Sequence, residues 1–183
     1  MAATVIINRW TGAGPTKTDI TGINSRLQAD DTHTTAGTSN PVRVPTSGTN
    51  YSYWANTRLS ASSSPAGTIN NIKWFTDGAN NLGTGLSMKV QTASVYGRAS
   101  GVSGTSGDQL DTTNYAAAGG TLAGAPSDAF GYTSGSPLSV TGSISNPSTG
   151  DFGDFVVYQI EVISTAGPGA STQETLTWRY DET

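Results

Sequence analysis

The chain has 183 residues and a mass of 18.8 kDa, with nine Lys/Arg against thirteen Asp/Glu for a net charge of −4. That is one domain's worth of polypeptide, or one domain plus an arm. Only 12% of residues are charged and 34% are hydrophobic, the balance being carried by 23 glycines and many hydroxyl side chains. No apolar run reaches the ~20 residues of a membrane span. The start, Met1 to Trp10, lacks the basic and long apolar regions of a secretory signal. The absence of cysteine excludes a disulfide framework, a thiolate zinc site and a Cys nucleophile. No basic cluster offers a grip on phosphates, so neither nucleic acid nor membrane is expected as a partner. Four Trp, seven Tyr and four Phe suffice for a core.

In chain order, Thr4–Trp10 is a weak strand candidate. Residues 11–40 are polar and rich in Gly, Thr and Asn, so 1–40 reads as an N-terminal arm or extended segment and 41–183 as the folded domain. The best helical spacing, Ile20, Ile23 and Leu27 within Asp19–Asp30, is interrupted by Gly22. Pro41–Val44 is weakly strand-like. Tyr51–Ala61 alternates with aromatics on both faces, which predicts a bent strand or one covered on both sides. Ile69–Thr76 is another strand. Leu86–Val90 places Leu86, Met88 and Val90 on one face, and Gln91–Tyr96 is a weaker candidate.

Residues 97–136 form a long stretch of Gly, Ser, Ala and Thr. It is either a surface loop ordered by a neighbour or an excursion with short elements around Tyr115, Phe130 and Tyr132. The run Ala116–Ala118 is stopped as a helix by Gly119 and Gly120. Leu138–Ile144 is a weak strand, Phe155–Ser164 reads as a central strand, and Leu176–Tyr180 alternates cleanly. Turn signals at Ser64–Gly67, Asp77-Gly78, Gly83–Gly85 and Gly167–Gly169 separate these runs. About eight short strands at this spacing predict an all-β, antiparallel two-sheet sandwich, jelly-roll or Ig-like, with long Gly/Ser/Thr loops.

Chemistry is sparse. His33, the sole histidine, sits beside Asp30 and Asp31 in a polar loop without a visible pocket. The carboxylate pairs Asp30/Asp31, Asp108/Asp111, Asp151/Asp154 and Asp181/Glu182 are not set among the aromatics that line sugar clefts. Trp54 and Trp74 read as core residues. The loop Asp77–Asn81 and the pair Asp151/Asp154 carry oxygen donors but do not complete a calcium loop, and Asp and Asn also serve turns. Asn50-Tyr51-Ser52 matches a glycosylation sequon, read as accidental without an export signal. Gly83-Thr84-Gly85 and the glycines at 101, 104 and 107 lack the helix and Lys of a phosphate loop. No catalytic, cofactor-binding or metal residue is assigned, and no enzyme is expected.

The segments Tyr51–Gly78, Gly83–Val90 and Thr175–Glu182 resemble small β-sandwich structural proteins of tailed-bacteriophage virions. The pattern is an aromatic-rich strand ending in Arg58-Leu59, a strand closing on Trp74-Phe75-Thr76-Asp77-Gly78, and a final Trp178-Arg179-Tyr180-Asp181-Glu182. The resemblance implies a cysteine-free, multi-copy particle component made in the host cytoplasm and resident in the virion. It also implies a capsid decoration or cement protein that binds the major capsid protein or other virion proteins and itself, as a homo-oligomer such as a trimer. The alternatives are a tail or head-fibre component, or a carbohydrate-binding adhesion module. The last predicts that Trp10, Trp54 or Trp74 is exposed.

Overall fold

The computed structural model describes residues 2–35 and 39–183. Its strands are β1 (Val5–Thr11), β2 (Thr16–Asp19), β3 (Thr49–Tyr51), β4 (Ala55–Ala61), β5 (Thr68–Phe75), β6 (Leu86–Val95), β7 (Gly101–Val102) and β8 (Ser106–Gly107). After the six-residue helix α1 (Thr112–Ala117) come β9 (Thr121–Leu122), β10 (Ser127–Asp128), β11 (Leu138–Ser139), β12 (Ile144–Ser145), β13 (Gly150–Ile163) and β14 (Thr177–Glu182). The larger sheet runs β10-β6-β13-β4-β1-β2, with β3 also paired to β13 and β9 to β6. In the smaller sheet β5 is central. One edge of β5 takes β14, and the other takes β11 and β12 end to end, since β11 and β14 both pair at Trp74. All these pairings are antiparallel, and the two sheets pack as the expected sandwich.

Alternation along the strands fills the space between the sheets. Leu59, Val156, Tyr158, Val90 and Met88 of the larger sheet meet Ile69, Ile72 and Trp74 of β5, all buried. The Trp74 and Tyr158 rings stack with centroids 6.3 Å apart. Leu176, just ahead of β14, and Trp178 and Tyr180 of β14 add a half-buried row. At the top of β13, four steps from Phe152 to Val156 answer two of β4, from Leu59 to Thr57. Because two residues are inserted, the inward phase is retained across this bulge.

A second core lies on the opposite face of the larger sheet. Trp54, just ahead of β4, and Ala93, Phe155 and Val157 of the sheet are covered there by Ala99, Leu110 and Tyr115 of the 97–122 excursion, all buried. This long polar stretch is therefore a layer of the domain. Small residues let it lie close against its neighbours: a Cβ on Gly107 would stand 2.4 Å from the Ser52 carbonyl oxygen, and one on Gly120 2.2 Å from the side-chain ring of Tyr115. Helix α1 starts where Asp111 accepts from the Asn114 backbone N–H at 2.7 Å and buries Tyr115.

The helical spacing within Asp19–Asp30 does not form a helix. The Asp19 carboxylate accepts from Thr21 N–H at 2.8 Å, Gly22 has a positive φ of 66°, and Ile20 N–H bonds back to Ile7. Local turn bonds outcompete the helix there. Within the N-terminal segment set apart in the sequence as an arm, β1 is an internal strand between β4 and β2, part of the larger sheet. Gln28 and Ala29 are buried. The two ends of the chain meet, since the Glu182 carboxylate accepts from the backbone N–H of Ala3 at 3.1 Å and of Ala66 at 2.8 Å.

Candidate functional site

The polar residues that attracted attention in the sequence serve the fold. Asp30 accepts from Asn40 Nδ2 at 2.7 Å and from Asp31 N–H at 2.8 Å. Asp31 accepts from Gly12 N–H at 2.8 Å and faces Arg98 Nε at 3.4 Å, yet burial pushes its pKa up despite these partners. Asp108 bonds Ser100, Asp111 caps α1, Asp151 pairs with Lys17, and Asp181 accepts from Asn71 Nδ2. Asp154 is held above the usual carboxylate range by burial, with Arg58 opposing.

In the Asp77–Asn81 loop, Asp77 accepts from Ala79 N–H and Asn80 from Leu82 N–H, so their oxygens close turns. Asn50 of the sequon donates to the Arg43 carbonyl. Among the described residues no group of three His, Cys, Asp or Glu stands close enough to hold a metal ion, and no helix is long and apolar enough to cross a membrane. His33 is half-buried, its Nε2 without a hydrogen-bond partner, and burial followed by the Arg9 charge lowers its pKa.

Two of the four tryptophans are core residues, and Trp10 and Trp178 are half-buried. Trp54 and Trp74 are 1% and 0% exposed. Trp10 is half-buried, with Phe155 edge-on at 5.0 Å, Tyr96 at 5.9 Å and the Lys17 ammonium 4.7 Å above its ring.

What the structure does contain is a groove of about 1080 Å³ at one end of the sandwich. Its origin lies in unequal strand lengths. Tyr158 stacks on Trp74, one residue before β5 ends at Phe75, whereas β13 and β6 continue inward-facing through Ile160 and Val162, paired with Met88 and Leu86. The smaller sheet thus leaves that aliphatic row without a partner layer. The roof is the Gly167–Leu176 strand-to-strand connection, tied to the 20–27 segment by Gln173 Nε2 donating to Asn24 Oδ1 at 2.6 Å.

The charged residues among those lining the groove are Arg26 and Glu174, and Arg9 is not one of them. Arg9 faces inward from β1 in register with Thr57 and is 1% exposed. Its Nη1 donates to Ser25 Oγ at 3.0 Å and to the Arg26 carbonyl at 2.8 Å, while its Nε has no acceptor. Three ion pairs occur among the described residues, and none involves Arg9. Desolvation lowers its pKa, with Tyr158 the first of the groups opposing that shift. Ser25 and Arg26 themselves line the groove, as does Trp74, whose buried indole Nε1 also lacks an acceptor.

The sequence reading missed this site. Comparison of the chain with family models, with curated proteins and with solved structures returns no match.

Proposed function

We propose that the chain is a structural protein of a tailed-bacteriophage virion, specifically a capsid decoration or cement protein. It binds across neighbouring shell subunits, associates with further copies of itself, and holds together joints under internal pressure. The observation that carries the reading is the convergence of the three resembling segments. They are separated in sequence but form β4, β5, β6 and β14 around one core, and Trp178 of the closing segment pairs directly opposite Trp74 of the first. The resemblance therefore falls on the residues that build the domain.

Two physical features suit a protein displayed in many copies. The free edge strands carry exposed charge, Lys17 and Asp19 on β2 and Arg179 and Asp181 on β14, which opposes edge-to-edge aggregation. The polar sides of the sandwich offer shallow contacts that gain strength when repeated on a lattice. The test is quantitative mass spectrometry of purified particles, scored as copies per major shell protein. A ratio near one, or a simple fraction of it, is expected. A handful of copies moves the protein to the tail or a vertex, and absence from particles overturns the reading.

A further inference from the structure

β14 is the outer strand of the smaller sheet, with β5 on one side and no strand on the other. Thr183 and Thr68 exchange backbone N–H···O bonds at 3.0 and 2.8 Å. Antiparallel alternation then aims the backbone groups of Thr177, Arg179 and Asp181 at β5, and those of Trp178, Tyr180 and Glu182 at the free side. Trp178 and Tyr180 pack on the core, while the alternate side chains Arg179 and Asp181 are exposed on the outer face. That face carries unbalanced charge. Arg179 stands directly opposite Lys73, a like charge, and neither joins any of the three ion pairs among the described residues. Lys73 Nζ donates to the Ser139 hydroxyl at 2.9 Å, and the Arg179 guanidinium lies 5.6 Å from the Phe75 ring centroid. Asp181 uses Oδ2 to accept from Asn71 Nδ2 at 2.7 Å.

We infer that the free edge of β14 is the surface through which two copies of this chain associate, as an antiparallel strand pair centred on Tyr180. A two-fold axis normal to the sheet keeps both outer faces on one side, so only registers that pair residues of like face are open. Centring on Arg179 sets that cation against its own counterpart, and centring on Asp181 sets carboxylate against carboxylate. Centring on Tyr180 instead sets Arg179 of each copy against the partner's Asp181, on both sides of the axis. Tyr180 then exchanges backbone bonds with its counterpart, and Trp178 with the partner's Glu182. Arg179 and the partner's Asp181 thus form a non-hydrogen-bonded pair, in which facing side chains come closest. The incoming carboxylate also lands beside Lys73 and Arg179, which join no ion pair within the chain. The charges that bar indiscriminate edge pairing therefore admit one register. The free edge of the larger sheet at β2 is only four residues long, and its Lys17 is already paired with Asp151. The inference rests on the proposed function for one point, that copies associate. It is tested on the isolated chain, so its failure leaves the particle count to judge the virion reading by itself.

The experiment is sedimentation velocity of the purified full chain at low salt, over concentrations from about 10 μM to about 1 mM. A six-residue edge buries less than a standard interface, so a monomer–dimer equilibrium with a Kd on the order of 100 μM is expected. Arg179→Asp sets acid against acid on both sides of the axis, and Asp181→Arg sets cation against cation. Each substitution alone should weaken dimerisation by at least about tenfold. An equimolar mixture of the two variants restores both attractions and should dimerise about as tightly as the parent. The chain carrying both substitutions should again dimerise with itself. Both positions are exposed, and the urea midpoint of each variant verifies that it is folded. The concentration series on the unaltered chain stands even if a variant fails to fold. A parent that stays monomeric at the highest concentration overturns the inference. So does a dimer that both single variants form as well as the parent, which puts the contact on another surface. A mixture of folded variants that stays monomeric excludes this register and overturns it too.

Discussion

The hydroxyl of Tyr115 donates to Asn56 Oδ1 at 2.7 Å and accepts from the backbone N–H of Gly97 at 3.0 Å. Asn56 Nδ2 and Trp54 Nε1 both donate to the Gly97 carbonyl, at 3.0 and 2.9 Å. The result is a closed polar network inside the outer core, fixing the start of the 97–122 layer against β4. Burial holds the Tyr115 hydroxyl well above its ordinary pKa, so it remains a donor across the working pH range.

Removing that one oxygen should therefore be expensive. Tyr115→Phe keeps the ring against Trp54 but leaves Asn56 Oδ1 and Gly97 N–H unsatisfied in a dry site. A loss of about 1–3 kcal/mol is expected. Urea unfolding checks it: the midpoint should fall with an unchanged slope. An unaltered midpoint would mean that the network contributes nothing.

Gln159 performs a parallel task lower on the same face. Its Oε1 accepts from Leu110 N–H at 2.6 Å, and its Nε2 donates to the carbonyls of Ser52 and Asp108, both at 2.7 Å. Gln159→Leu should strand the buried Leu110 N–H and release the excursion from β13, at a cost of about 3 kcal/mol. The chain provides a convenient reporter, because Arg98 is the sole basic residue between Lys89 and Arg179. Limited trypsin digestion should cut the variant at Arg98 far faster than the parent, leaving β1 to β6 intact. Equal cutting rates would show that the layer is held by its apolar contacts alone.

These two clamps also show where sequence reading stops. Strands with an apolar and a polar face were legible: Ile69–Thr76, Leu86–Val90 and Leu176–Tyr180 coincide with β5, the first half of β6 and β14 to within a residue or two. The bent Tyr51–Ala61 strand divides into β3 and β4 because Tyr53 and Trp54 both turn to the outer core. The role of the Gly/Ser stretch was not legible, since its order depends on bonds to Asn56 and Gln159, which period-two patterning marks only as polar. The groove was invisible for a different reason. It arises from β13 and β6 outrunning β5, a relation between strands that no single segment encodes.

The lone histidine gives the molecule a readable pH dependence. In the folded chain burial, and then the Arg9 charge, lowers the His33 pKa from 6.5. The unfolded chain thus binds this proton more readily, so His33 stability is complete above 6.5 and is lost as pH falls through its folded pKa. Asp31 and Asp154 act in the opposite sense and at lower pH. Burial raises both above 3.8, so each favours the folded state as pH falls through the raised value. Stability measured as the urea midpoint should therefore decline as pH drops below 6.5, then recover part of the loss just above 3.8. His33→Gln should remove the decline, and Asp31→Asn should reduce the recovery while retaining an oxygen for Gly12 N–H. A His33→Gln profile identical to the parent's would show that the imidazole is as well hydrated folded as unfolded, and that the Arg9 charge does not reach it.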